Sequence, residues 1–303
     1  MKTKTTLQDT LKSQDTEEWI DLLFYRPIGY YWALFFKKIN VTPNTVTILS
    51  IILGVAAGIM FYFTELWLNV IGMVLLVWAN SFDSADGQLA RMTGNYSRVG
   101  RILDGAAGDL WFISIYSAIL MRLVPEWGYQ VWILGAIAGY FHSKQSAMAD
   151  YLRNFHILFV KGKNGSEFDD SEKLREQAKL LSWKKNFIEK LFLTFYIPYT
   201  RGQERWTPKL QNFRYTLDYE YGYEEPPADF REEFRQASKP FMKYTNILSF
   251  NIRVIVLFVC IFAGVPWVYF IFELTILNIL LIYMLYKYGN ICKMFDIRLR
   301  RND

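Results

Sequence analysis

Long apolar runs restrict this chain more than any other feature. A helix needs about 20 predominantly apolar residues to cross the hydrocarbon core of a bilayer, where each backbone N–H and C=O must be satisfied within the helix itself. Six runs meet or approach that length, at 45–63, 68–82, 102–123, 131–151, 250–263 with its flanks and 268–288. The 303 residues are 52% hydrophobic and 18% aromatic, which is richer than an ordinary water-soluble domain. The expected fold is therefore an all-α integral membrane protein with six transmembrane helices, an N-terminal interfacial amphipathic helix and a cytoplasmic insertion between the fourth and fifth spans. Its expected segments are 1–41, cytoplasmic and interfacial; 42–151, the first four spans; 152–249, the insertion; and 250–303, the last two spans with a basic tail.

Lys and Arg collect on the cytoplasmic side of short connections. The connections at 64–67, 125–130 and 264–267 hold neither, with only Arg122 nearby. The opposite ends hold Lys37, Lys38, Arg91, Arg98, Arg101, a run from Lys161, and Lys293, Arg298, Arg300 and Arg301. Both termini and the connection between the second and third spans are thus expected in the cytoplasm. The opening MKTKTTLQDTLKSQDTEEW is polar throughout, so no cleavable signal peptide is expected. The net charge of +5 reads as this loop bias and as attraction to anionic membrane lipid, and no nucleic-acid partner is expected. Cys260 and Cys292 are the only cysteines and suggest neither a disulfide framework nor a zinc site.

Residues 17–38, EEWIDLLFYRPIGYYWALFFKK, mix aromatics with basic ends and carry Pro27 and Gly29 mid-segment, which predicts a kinked helix in the interface. In the Thr42-Pro43-Asn44 that follows, Asn44 is expected to cap the first span. The insertion is too polar to span and too aromatic for a mere linker. Within it Trp183, Phe187, Leu191 and Phe195 stand four residues apart, on one helix face. That helix either packs on the domain's cytoplasmic surface or lies in the interface. DYEYGYEEPPADF reads as a turn-rich loop.

Charge is concentrated in one place, DSADGQLARMTGNYSRVGRILDGAAGD at 83–109, which puts four aspartates and three arginines between two spans. Asp83 and Asp86 share a helix face at the end of the second span. Gly94 and Asn95 should break that helix, and a second one starting before Gly100 returns Asp104 toward the membrane. Acids at membrane depth are costly and mark function more often than structure. Hard oxygen ligands beside Gly87, Ala90 and Gly100 suit divalent cations and a polyphosphate approaching the backbone.

Asp83-x-x-Asp86-Gly87-x-x-Ala90-Arg91, eight residues, then Gly100-x-x-x-Asp104 resembles the signature of the CDP-alcohol phosphotransferases. The Thr42-Pro43-Asn44 stretch, the interfacial helix and the six-span layout resemble that family too, whereas the insertion is not explained by it. The resemblance implies an enzyme of the phosphatidyltransferase class that moves a substituted phosphoryl group from a CDP-linked donor to an alcohol and releases CMP. It implies that Asp83, Asp86, Asp104 and Asp109 hold Mg²⁺ or Mn²⁺. It implies that Gly87, Ala90, Arg91 and Gly100 receive the CDP end, and that two copies form a homodimer. Gly54 with Gly58, and Gly135 with Gly139, offer small faces for helix contact within one chain or between two.

The family's general base is a fourth aspartate four residues beyond the third. Here that position is Gly108, and the nearest acid is Asp109. On a regular α-helix one extra residue turns a side chain by about 100°. If Asp109 is the base, a one-residue π-bulge near 105–108 is expected to bring it back. Lys144, Arg153 and Arg253 are candidate cations for an acceptor carrying phosphate, with CDP-diacylglycerol as donor; His142 alone weighs little. The alternatives are a CDP-choline or CDP-ethanolamine type transfer to a lipid acceptor, a non-catalytic relative that has lost its base, and a small ion transporter.

Overall fold

The structure, a computed structural model, describes Leu7, Ser13 and residues 15–222 and 224–301. No strand occurs among them. In chain order the α-helices are α1 (Arg26–Lys38), α2 (Pro43–Met60), α3 (Leu66–Thr93), α4 (Arg98–Trp127), α5 (Val131–Lys161), α6 (Ser171–Leu180), α7 (Phe187–Trp206), α8 (Pro208–Tyr221), α9 (Ala228–Ser238), α10 (Met242–Ile247), α11 (Phe250–Phe262), α12 (Trp267–Phe272) and α13 (Asn278–Leu299). Two π-helical turns, Asp21–Tyr25 and Glu273–Leu277, lead into α1 and α13.

Among the described residues, five helical stretches are long and apolar enough to cross a membrane: Pro43–Met60, Leu66–Thr93, Gly100–Trp127, Ala228–Phe262 and Trp267–Leu299. The chain is an all-α membrane protein, but the expected fourth span is not among these five. The apolar run of α5 stops at Phe141, where His142-Ser143-Lys144-Gln145-Ser146 begins. The chain divides into two compact units, Met1–Ser143 with Phe250–Leu274 and Lys144–Ser249 with Thr275–Asp303.

In the first unit α2 is the template for the two helices that carry the acids. Thr42 is its N-cap, accepting from the Thr45 N–H at 3.3 Å, and Pro43 fills the first helical position where no N–H is needed. The cap is therefore Thr42 rather than Asn44. Gly54 and Gly58 face α4: a Cβ on Gly54 would lie 2.1 Å from Trp111 Cδ1, and one on Gly58 would lie 2.8 Å from the Ile115 backbone nitrogen. Trp111 donates its indole N–H to the Ser50 carbonyl at 3.1 Å, and Ser114 donates to the Val55 carbonyl at 2.9 Å. Ala57, Phe61, Leu76, Ile115, Ile119 and Leu257 close the core around these contacts. Gly135 likewise meets Leu120 of the same chain, at 2.1 Å from its would-be Cβ.

The segment expected in the interface is helical, with a particular solution to its proline. Pro27 has no N–H, and its ring crowds the carbonyl one turn back, so the helix widens into the π turn at Asp21–Tyr25 just before it. Ala33 and Phe36 pack on Phe82, Ala85 and Leu89 of α3, while Trp19, Leu23, Tyr31 and Phe35 stay exposed. That division is the one a helix at a bilayer surface needs.

The second unit shows that the insertion is folded around an aromatic core. Phe155, Phe213 and Phe234 are fully buried, Phe159 and Phe234 stack with centroids 4.0 Å apart, and Phe295 of α13 meets Phe234 at 5.2 Å. Asp170 caps α6 by accepting from the Glu172 and Lys173 N–H groups, and its other oxygen pairs with Arg214 at 3.0 Å. Burial works against the Arg214 charge, but Asp170, Tyr151 and Glu204 outweigh it and hold the guanidinium above its usual range. On α7 the predicted stripe of Phe187, Leu191 and Phe195 is exposed, and Leu193 on another face is buried. The turn-rich tract is shorter than read, because α8 runs through Tyr221 before Gly222 breaks it at φ 53° and α9 starts at Ala228.

Candidate functional site

Asp83 and Asp86 stand on α3 and Asp104 on α4. One carboxylate oxygen from each lies within 4.8 Å of the others. The spacing along α3 does half of this, and the break between the helices does the rest. Gly94 ends α3 in the left-handed region at φ 66°, where L side chains are disfavoured. Ser97 then caps α4, accepting from the Gly100 N–H at 2.8 Å, and donates to Asn44 Oδ1 at 3.2 Å. A Cβ on Gly100 would sit 2.5 Å from that same Asn44 oxygen, so the glycine lets α4 start against α2. Asp86 is buried, Asp83 half-buried and Asp104 exposed, and the Thr47 hydroxyl donates to Asp86 Oδ2. Three like charges this close, one of them buried, repel unless a cation or protons join them. Their all-oxygen donor set fits Mg²⁺ or Mn²⁺.

Arg91 folds back over Gly87, its guanidinium 3.3 Å from where a Cβ would be, and its Nε is buried without a hydrogen-bond partner among the described residues. Ala90 is half-buried one turn beyond Asp86. The interfacial segment contributes next to this face: Arg26 makes a two-pronged contact with Glu17 at 2.9 and 3.0 Å and reaches Ser84 Oγ at 3.4 Å, and its carbonyl accepts from Gln88 at 3.0 Å. Thr47, Ser97, Asn44 in this role, and Arg26 were not identified from sequence. Thr47 lies 39 positions from Asp86 and no spacing rule links the two, whereas Ser97 stands at a helix start that a capping rule could have found.

Asp109 is not in the acid cluster. α4 is unbroken α-helix from Arg98 to Trp127, so the bulge expected at 105–108 is absent. Five residues of regular helix leave Asp109 about 140° around from Asp104. There it is exposed and lies within electrostatic reach of His142.

Arg253 is not presented to an open acceptor site; its guanidinium is 1% exposed and pairs with Glu273 inside the first unit. The same Glu273 carboxylate accepts from the Tyr269 hydroxyl at 2.7 Å and lies 3.3 Å from His142 Nδ1. That nitrogen is also 3.0 Å from Arg253 Nη1 and 3.1 Å from the Tyr116 hydroxyl. In the second unit Arg153 donates to Asn246 Oδ1 at 3.1 Å and Ser249 Oγ at 2.7 Å, and Lys144 Nζ lies 3.5 Å from a would-be Cβ on Gly202.

Residues 40–147, which include all four aspartates, match the family model described as CDP-alcohol phosphatidyltransferase. Over 98 residues the chain is 30% identical to a bifunctional IPC transferase and DIPP synthase of Aquifex aeolicus, covering 32% of this chain and 22% of that one. Over 113 residues it is 32% identical to an archaetidylinositol phosphate synthase of Pyrococcus horikoshii, covering 37% of this chain and 57% of the relative. The chain therefore spans about a fifth of the first relative's length and just over half of the second's. No solved structure matches it.

Proposed function

We propose, from the match of residues 40–147 to the family model described as CDP-alcohol phosphatidyltransferase, that the protein transfers a phosphatidyl group from CDP-diacylglycerol to a polar, phosphorylated alcohol, releasing CMP. The observation that carries this reading is the convergence of Asp83, Asp86 and Asp104 within 4.8 Å where α3 and α4 meet. Mg²⁺ or Mn²⁺ held by these three carboxylates supplies neutralisation of the donor pyrophosphate and of the charge that grows on the departing CMP.

The chain's own groups do the rest. Arg91 clamps a phosphate oxygen, its planar fork lying over Gly87 where no side chain intervenes. Gly100 and Ala90 keep the face small enough for the cytidine end to approach the helices. Thr47 orients Asp86 through its hydroxyl. Asp109 is the carboxylate assigned to take the acceptor's proton. Lys144 and Arg153 are retained as the acceptor's cations on the sequence argument alone. A phosphorylated polyol is in keeping with a relative named archaetidylinositol phosphate synthase. The loop charges support a site on the cytoplasmic side of the membrane, and a role in phospholipid biosynthesis is part of the proposal. A homodimer is part of this proposal; Gly54, Gly58 and Gly135 are occupied within the chain, so a second copy would need another face.

The test is CMP release by the protein in lipid nanodiscs. CDP-diacylglycerol and CDP-choline are each offered with a panel of soluble and lipid alcohols. CMP from CDP-diacylglycerol only in the presence of a phosphorylated polyol is the expected result. Release from CDP-choline with a lipid acceptor would replace the donor assignment, and no CMP from any combination would end the enzyme reading.

A further inference from the structure

We propose that Asp109 and His142 act as one proton-accepting unit, with His142 held in place by the buried Arg253–Glu273 pair. On this proposal the unit replaces the single carboxylate that position 108 lacks. The inference rests on the transferase reading above and deepens it at the base.

Helix geometry is the first support. Moving an acid from 108 to 109 on unbroken α4 turns it by about 100°. It then lies on the face of Phe112 and Tyr116, three and seven residues further along. That face meets His142: the Phe112 and His142 rings are 4.2 Å apart between centroids, and the Tyr116 hydroxyl lies 3.1 Å from Nδ1. The displaced acid has thus exchanged the metal-binding face for a face with an imidazole on it.

The second support is how His142 is held. Tyr116, Glu273 and Arg253 all meet the ring at Nδ1. Three contacts at one nitrogen fix the ring plane and turn its Nε2 edge away from the ion pair. His142, Arg253 and Glu273 are 6%, 1% and 0% exposed in a unit built of apolar spans. A buried ion pair seldom adds stability over well-packed apolar side chains, so packing alone does not account for it. Glu273 also opens the π-helical turn Glu273–Leu277, and such widened turns concentrate at functional sites.

In the reaction the acceptor's O–H bond breaks and its proton goes to the Asp109 carboxylate. The freed electron pair on oxygen forms the new O–P bond. The P–O bond to CMP breaks, and CMP leaves with that pair. His142 touches neither substrate; it is a positioning residue that aims Asp109 and shares the proton once Asp109 holds it.

The experiment uses the full chain in nanodiscs and reads kcat and KM from CMP release. His142→Gln and Asp109→Asn are each expected to lower kcat by roughly 10²-fold or more, the scale of a lost general base, with donor KM within twofold. The double variant is expected to be no worse than either single one. A relocated background, Gly108→Asp with Asp109→Gly, restores the family spacing. A Cβ at 108 meets nothing within 4 Å, so the new side chain fits. There activity is expected to persist, and adding His142→Gln to cost less than threefold. An equal loss from His142→Gln in both backgrounds, through misfolding or otherwise, would overturn the proposal, as would no loss in the native one. Wild-type protein that releases no CMP at all would instead remove the transferase reading, and this proposal with it.

Discussion

Replacing Gly54 by alanine is the sharpest probe of how the site is held. The added Cβ would lie 2.1 Å from Trp111 Cδ1 and 2.3 Å from its Nε1, about 1.3 Å short of the 3.4 Å at which ordinary contact begins. The indole cannot simply swing aside, because it is 2% exposed, bonded to the Ser50 carbonyl and packed edge-on against Phe250 with centroids 5.6 Å apart. Either α4 backs away from α2 or Trp111 gives up its hydrogen bond. Overpacking costs roughly 1–3 kcal/mol and a lost buried hydrogen bond roughly 1 kcal/mol more, so a destabilisation of about 2–4 kcal/mol is expected. For a unit of this size that is a fall in Tm of roughly 5–10 °C. Because α4 also carries Asp104, a displacement approaching 1 Å should lower the CMP-release rate by up to about 10²-fold even below the new Tm. Thermal denaturation in detergent and initial rates in nanodiscs measure both. Gly54→Ala combined with Trp111→Phe, a smaller ring with no N–H to satisfy, is expected to recover part of each loss. A Gly54→Ala protein with wild-type Tm and rate would refute the contact and the role assigned to α2.

Asp83→Ala or Asp104→Ala should abolish turnover rather than raise KM, and excess chelator should do the same to the wild type until Mg²⁺ or Mn²⁺ is returned; full activity in chelator would contradict the metal assignment. Glu273→Gln leaves the Arg253 guanidinium buried without its counter-charge and is expected to cost roughly 3–5 kcal/mol. Arg253→Met with Glu273→Leu should restore the melting temperature but not the rate, and a Glu273→Gln protein that melts like wild type would show that the pair is not buried as described. A spin label at Phe195→Cys, specific because Cys260 and Cys292 are buried, should be relaxed more by oxygen from the lipid than by an aqueous nickel complex; the reverse would place α7 in water.

The parts of the molecule legible in the sequence are those with a local period. The helix around Pro27, the helix break after Thr93 and the approach of Asp83 to Asp86 all follow from spacing and from Gly94, and the structure shows each of them. Asn44 was misassigned because a cap and a partner for a distant helix use the same amide, and only the fold shows that it meets Ser97 and Gly100. Arg253 read as a cation waiting for an anion because its counter-charge is another helix's Glu273, and no spacing rule joins them. The bulge expected in α4 presumed that Asp109 must rejoin the other aspartates; the helix kept its regular turn instead. The insertion's aromatics marked it as more than a linker, but which of them meet depends on α13, beyond the insertion itself.

The Arg253–Glu273 pair also bears on how the chain enters the membrane. The two residues are 20 positions apart, on either side of the turn at Gly264. Synthesis runs from the N-terminus, so Arg253 reaches the insertion machinery before Glu273 does. An arginine at the centre of a spanning helix costs roughly 3 kcal/mol, and less in the first turn, where Arg253 stands on the 13-residue α11. α11 and α12 are thus best delivered together as a hairpin, in which Glu273 cancels the charge of Arg253. The ion pair makes the order of assembly part of the sequence: α11 settles only when Glu273 arrives.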